Sequence, residues 1–104
     1  MPHKKTKDAL KLIARDVGRD PKLRRLIETE RLNAHVAQLI YDARVKAKLT
    51  QKALAELAGT TQPVIARLED ADYEGHSLTM LRRIAEALNR RIEVRFVPKR
   101  RAAS

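Results

Sequence analysis

The 104-residue chain has no cysteine and no tryptophan. Missing thiols exclude a disulfide framework and thiolate metal sites, and they fit a reducing cytoplasm. Aromatic residues are limited to Tyr41, Tyr73 and Phe96, which argues against the base-stacking platforms of single-strand and RNA-recognition modules. No apolar run approaches the roughly 20 residues that cross a bilayer, and the opening Met1-Pro2-His3-Lys4-Lys5 lacks a signal-peptide core. The expectation is a cytoplasmic protein with no membrane partner. His3, His35 and His76 show no metal-ligand spacing. No Ser/His/Asp arrangement, Gly-rich phosphate loop or carboxylate pair is apparent, so the chain reads as a non-enzyme with no cofactor and no metal.

What the chain has in excess is positive charge. Its 23 Lys and Arg outweigh 13 Asp and Glu, for a net +10. That imbalance indicates an anionic partner, with nucleic acid ahead of a membrane surface or an acidic protein. The length suits one small domain with an appended arm.

Residues 1–31 read as an N-terminal helical extension. Leu10, Ile13, Ala14 and Val17 follow helical spacing between a cap at Thr6 and a stop at Gly18. Asp20-Pro21 then restarts the chain as N-cap and first helical residue, with Leu23, Leu26 and Ile27 as an apolar stripe. This arm is too poor in apolar residues for its own core. Its stripes must pack on the following domain, on a second copy or on a partner protein. Val36, Leu39, Ile40, Ala43 and Ala47 predict a helix over about 33–48. They do not line up with the preceding stripe, so a kink or break is expected near Arg31 to His35, with Asn33 as a new cap.

Residues 32–90 hold the most informative stretch, Leu49 to Glu69. Thr50 caps a short helix whose buried face is Leu54, Ala55 and Ala58, and Gly59 ends it in the left-handed conformation. Thr60-Thr61 caps a second short helix with Ile65 and Leu68 inside and Gln62, Pro63, Ala66 and Arg67 outside. An acidic loop, Asp70 to His76, leads to a Ser77-capped helix with the stripe Leu78, Leu81, Ile84, Ala85 and Leu88, ending near Asn89. The period then changes to two over residues 91–98, where Ile92, Val94 and Phe96 share one side. That predicts a single β-strand, which needs a partner strand, most simply its mate in a homodimer. Residues 99–104 form a basic tail.

The pattern Leu49-Thr50-Gln51…Leu54-Ala55…Gly59-Thr60-Thr61-Gln62…Ile65…Leu68-Glu69, followed by the Leu78 to Leu88 helix, resembles the Xre/Cro-type helix-turn-helix family. The fold so implied is an all-α, lambda-repressor-like bundle carrying an N-terminal helical extension and one C-terminal strand paired in a dimer. The flanks more loosely resemble HigA-type antitoxins of toxin–antitoxin operons. In the family the first helix of the motif lies across the DNA backbone and the second enters the major groove. The resemblance therefore makes Thr50, Gln51 and Lys52 phosphate contacts, and Thr61 a cap at the DNA surface. It makes Gln62 and Arg67 base-edge readers and leaves Pro63 and Val64 for apolar contact with a thymine methyl. Arg44 and Glu69 match a family pair expected to form a structural salt bridge.

The implied function is a sequence-specific repressor, homodimeric on an inverted repeat in double-stranded DNA and autoregulatory if the antitoxin likeness holds. The competing expectation is a protein-binding antitoxin whose arm neutralises a RelE/HigB-type ribonuclease; a phage-type regulator without a toxin is a third. The arm's ten Lys and Arg against five Asp and Glu have the wrong sign for gripping a basic nuclease, so hydrophobic docking would carry such a complex. Two features stay open at this stage. Asp70, Asp72 and Glu74 stand where relatives often place Gly and basic residues, so either the loop points away from phosphate or DNA binding is weaker than the net charge suggests. Lys46, Lys48, Arg82 and Arg83 are candidates to compensate.

Overall fold

The computed structural model describes residues 20–99; the helix expected over 8–17 and most of the basic tail lie outside them. Four helices follow in order: α1 (Pro21–Lys46), α2 (Gln51–Ala58), α3 (Gln62–Leu68) and α4 (Leu78–Ala87).

Helix α1 starts where the sequence places it. Asp20 is extended and accepts a 2.9 Å hydrogen bond from the Lys22 backbone N–H, with Pro21 in the first turn. The expected break near Arg31 to His35 is absent. The helix runs without interruption for 26 residues, about 39 Å, and Asn33 lies inside it. No Gly or Pro occurs between Lys22 and Lys46 to interrupt it. The inward stripe is also continuous once small and polar residues are counted: Leu23, Ile27, Glu30, Ala34, Ala37 and Ile40 are all buried or half-buried, at steps of three or four. Leu26 and Leu39, which the larger-residue stripes relied on, are half-exposed.

Helices α2, α3 and α4 close around one core of Ile40, Leu54, Ala55, Ala58, Ile65, Leu68 and Ile84. Leu54 and Ile65 are fully buried, each worth about 1.5–3 kcal/mol of transfer free energy. Ala55 and Ala58 keep the facing side of α2 thin, so its neighbours approach closely.

The caps fix the turns. The Thr50 hydroxyl accepts from the Ala53 N–H at 3.0 Å, and the Ser77 hydroxyl from Met80 at 3.1 Å. Gly59 takes φ +70 at the end of α2, and the Thr60 N–H returns to the Ala55 carbonyl at 2.9 Å. Arg83 on α4 then donates to the Ala58 carbonyl at 2.9 and 3.2 Å and to the Gly59 carbonyl at 2.7 Å. A cation thus sits on the negative end of α2 and satisfies its last carbonyls. Arg83 is thus a clamp on the motif's turn.

The acidic loop folds back on α1. Tyr73 packs against the core, its ring meets His76 edge-on with centroids 5.1 Å apart, and His76 Nε2 donates to the Leu68 carbonyl at 2.7 Å. Burial pushes the Glu30 carboxyl above its ordinary value, and a side-chain hydrogen bond with Glu74 and the charges of Glu74 and Asp72 push it further. Asp72 and Glu74 are therefore gathered at Glu30, 14 residues before Arg44 on α1, or about 21 Å of helix. The loop is turned toward the far half of α1.

Residues 91–99 form no strand in the single chain, and all are exposed. A ladder needs a second strand, and among the described residues none is present to pair with it. Ile92 and Val94 instead border an open groove of about 440 Å³ against Leu78, Arg82 and Ala85 of α4.

Because Glu30 is easier to protonate in the folded chain, its ionised form costs stability at neutral pH; that cost is relieved as pH falls through the raised folded value. The variant Glu30→Gln is expected to melt higher than the parent at pH 7. The gain should fade on acidification and be gone below the ordinary value of 4.5. Thermal melts across this range check it, and a gain independent of pH would mean that charge at Glu30 is not the cause.

Candidate nucleic-acid interface

Arg44, in the last turn of α1, and Glu69, at the end of α3, meet with side chains only 12% and 4% exposed. Arg44 Nε donates to Glu69 Oε2 at 2.7 Å and Nη2 to Oε1 at 3.1 Å, while Nη1 donates to the Leu49 carbonyl at 2.8 Å. The Tyr41 ring lies against the guanidinium, 5.3 Å from Cζ to centroid. The hydrogen bond to Glu69 holds the Arg44 pKa above its ordinary value, against the opposing effect of burial. One guanidinium thereby joins the end of α1, the turn before α2 and the end of α3. The Arg44–Glu69 pair expected from the sequence is present in this two-pronged form.

Glu69 Oε1 accepts a further hydrogen bond, from Gln51 Nε2 at 3.2 Å. An ionised carboxylate can only accept, so the Gln51 amide must turn its nitrogen inward and its oxygen outward. That oxygen accepts from Gln62 Nε2 at 2.7 Å. The result is a relay, Arg44 to Glu69 to Gln51 to Gln62, running from half-buried charge to an exposed amide at the first residue of α3. Among the described residues Gln62 keeps its Oε1 and its second amide N–H unengaged. One acceptor beside one donor is the set that pairs with N6 and N7 of adenine in the major groove.

The remaining candidates fall around this point. Pro63 and Arg67 are exposed on α3, and Arg67 makes no ion pair among the described residues. Val64 is half-buried against the core. Lys52 is exposed on the first turn of α2, and Thr50 is committed to its cap through its acceptor oxygen. Thr61 occupies the N-cap position of α3, but its side chain makes no capping hydrogen bond, so its hydroxyl remains available. Gln51 has both ends of its amide engaged. Ile92, Val94 and Phe96 lie apart from this cluster, beyond α4.

Sequence reasoning found each residue of the relay but missed the two links through Gln51. No local signal gave those links: the Gly59 to Thr61 turn sets the end of α2 beside the start of α3, and only the crossing of the two helices brings Gln51 to Gln62.

Removing the Glu69 carboxylate leaves a mostly buried guanidinium unpaired, so Glu69→Ala is expected to lose about 3–5 kcal/mol of stability. Urea denaturation followed by circular dichroism measures this, and a loss below about 1 kcal/mol would place the pair in the energetic class of exposed ion pairs.

A family model described as helix-turn-helix matches residues 40–94, over half of the chain. No curated protein matches the chain, and no solved structure does. No helix among the described residues is long and apolar enough to cross a membrane. The matched span takes in the relay, the α2–turn–α3 unit and α4, and the chain belongs to the Xre/Cro-type helix-turn-helix family of DNA-binding transcriptional regulators.

Proposed function

We propose that this protein is a homodimeric repressor that reads an inverted repeat in double-stranded DNA and occludes a promoter, its own included. The observation that carries the proposal is the exposed Gln62 amide, oriented by Gln51 and anchored through Glu69 to Arg44. An amide fixed before binding loses little rotamer freedom on meeting a base, so more of its hydrogen bonding appears as discrimination. Arg67 reads guanine or grips a phosphate from the same helix, and Pro63 offers an apolar surface to a thymine methyl. Thr50, Lys52 and Thr61 supply phosphate contacts, with the Gln51 side chain bridging backbone and base readers. Asp72 and Glu74 of the acidic loop are drawn to Glu30. In a dimer the two α3 helices enter successive major grooves about 34 Å apart. The net charge of +10 makes binding steeply salt-dependent. We read the protein as cytoplasmic, without enzymatic activity or cofactor.

The antitoxin role is supported by a separate feature. Leu32 and Leu39, 62% and 54% exposed, are seven residues apart and share one face of α1 outside the core. That apolar face suits a protein partner such as a RelE/HigB-type ribonuclease better than DNA. Co-purification with the product of a neighbouring toxic gene supports this role; failure of Leu32→Glu with Leu39→Glu to weaken the complex removes this face from it.

Gln62→Ala is expected to weaken operator binding about 10- to 100-fold with binding to unrelated DNA little changed, and Arg67→Ala to weaken the operator alone if Arg67 reads guanine or all sequences alike if it grips a phosphate. Gln51→Ala should reproduce part of the Gln62 loss, because it frees the Gln62 amide to rotate. Lys52→Ala should weaken all sequences alike and lower the salt slope by about 1. Gel shifts on the upstream region against scrambled DNA decide it, and unchanged operator affinity in the Gln62 variant rejects the assignment.

A further inference from the structure

Three of the described residues have a left-handed backbone, and one of them is of a type that does not adopt it readily. Gly59, at φ +70, has no Cβ to clash, and Asn89, at φ 57, has the short polar side chain that tolerates this region. Lys48, at φ 60, has neither property. It follows Ala47, which closes α1, and completes a helix-ending turn: the Lys48 N–H donates to the Val45 carbonyl at 2.9 Å and the Leu49 N–H to the Arg44 carbonyl at 3.2 Å. Glycine takes that position without strain. Arg44 Nη1 closes the same turn a second time, donating to the Leu49 carbonyl at 2.8 Å. The backbone thus holds Lys48 where it is, while its side chain is exposed and makes no ion pair among the described residues.

We propose that lysine stands at position 48 against this strain because its ammonium grips a DNA phosphate beside the start of α2. This rests on the DNA-reading function proposed above and adds a residue to it.

The placement follows from the chain. Lys48 is three residues before Gln51, so their Cα atoms are at most about 11 Å apart, and the Gln51 amide meets Gln62 at 2.7 Å. Lys48 therefore flanks the base-reading end of the motif. Lys46, Lys48 and Lys52 are all exposed, and no Asp or Glu occurs between Asp42 and Glu56. Glu69, which comes close in space, is already bonded to Arg44 and Gln51. Three like charges over seven residues repel one another in the free protein, and the strain at Lys48 adds to that cost. A phosphate oxygen supplies the missing opposite charge. Lysine is a point charge on a flexible stem, which suits a phosphate better than the two-pronged edge of a base. Such a contact carries no sequence information, so Lys48 strengthens binding to every duplex alike. Strained backbone persists at binding sites for this reason: function retains what stability alone would remove.

Stability and binding should move in opposite directions, which a purely structural role does not allow. Lys48→Gly is expected to raise the melting temperature by a few degrees. It should weaken binding to a duplex of scrambled sequence about 3- to 10-fold per bound subunit at about 0.1 M salt, and lower the salt slope by about 1. Lys48→Asn, which tolerates the left-handed region without the flexibility of glycine, should lose the same affinity. Lys48→Arg keeps the charge and should bind as the parent does. Fluorescence anisotropy of the full chain across a salt series, with melts followed by circular dichroism, measures all four proteins on the scrambled duplex and on the upstream region. Lys48→Gly and Lys48→Asn at the parent's affinity and salt slope overturn the phosphate contact, as does a Lys48→Gly protein that melts below the parent. A parent that prefers its upstream region no more than the scrambled duplex overturns the repressor reading and leaves the contact standing. A parent that binds neither duplex overturns both.

Discussion

Two opposite charges, Arg44 and Glu69, are taken out of water at the point where α1, the start of α2 and the end of α3 converge. Burial of either alone would be costly, so the three elements are held to the one arrangement in which the pair is complete. The polar contacts that lead out to Gln62 depend on that condition. Glu69, fixed by two bonds from Arg44, orients Gln51, and Gln51 orients Gln62. The exposed Gln62 amide is therefore positioned by an ion pair it never touches.

The turn between α2 and α3 is constrained from the opposite side of the motif. Gly59 supplies the left-handed backbone, and Arg83 from α4 binds the carbonyls it exposes. A Cβ at position 59 would stand 3.2 Å from the Arg83 guanidinium, so glycine here serves conformation and close approach together. The helix-turn-helix unit is clamped at its start by Arg44 and at its turn by Arg83, one from the helix before it and one from the helix after it. Charge is sorted accordingly. Two arginines are spent on structure, Lys52 and Arg67 stay exposed near Gln62, and Asp72 and Glu74 are drawn to Glu30.

Most of the helices were legible because their signals are local. Asp20-Pro21, Thr50, Gly59, Ser77 and Asn89 mark ends through backbone chemistry that a few neighbouring residues determine. Where legibility failed, the cause was tertiary. Helix α1 was expected to break because its large apolar residues drift around the helix; the buried line passes instead through Glu30, Ala34 and Ala37, whose burial depends on what packs there. That Val64 packs partly against the core and that Arg83 reaches the carbonyls of α2 likewise follow only from how the helices meet.

The sequence by itself determined the class of the protein: its strongly basic charge, the two short helices about Gly59, the outward Gln62 and Arg67, and the likeness to Xre/Cro-type regulators. It also named Arg44 and Glu69 as a pair. Only the tertiary structure decided that Gln51 links that pair to Gln62, that Arg83 holds the carbonyls at the end of α2 and that Asp72 and Glu74 lie by Glu30. The physical reason is range. Caps and periodicity act over three or four residues, whereas these contacts join residues 11 or more apart, whose meeting follows only after the helices have packed.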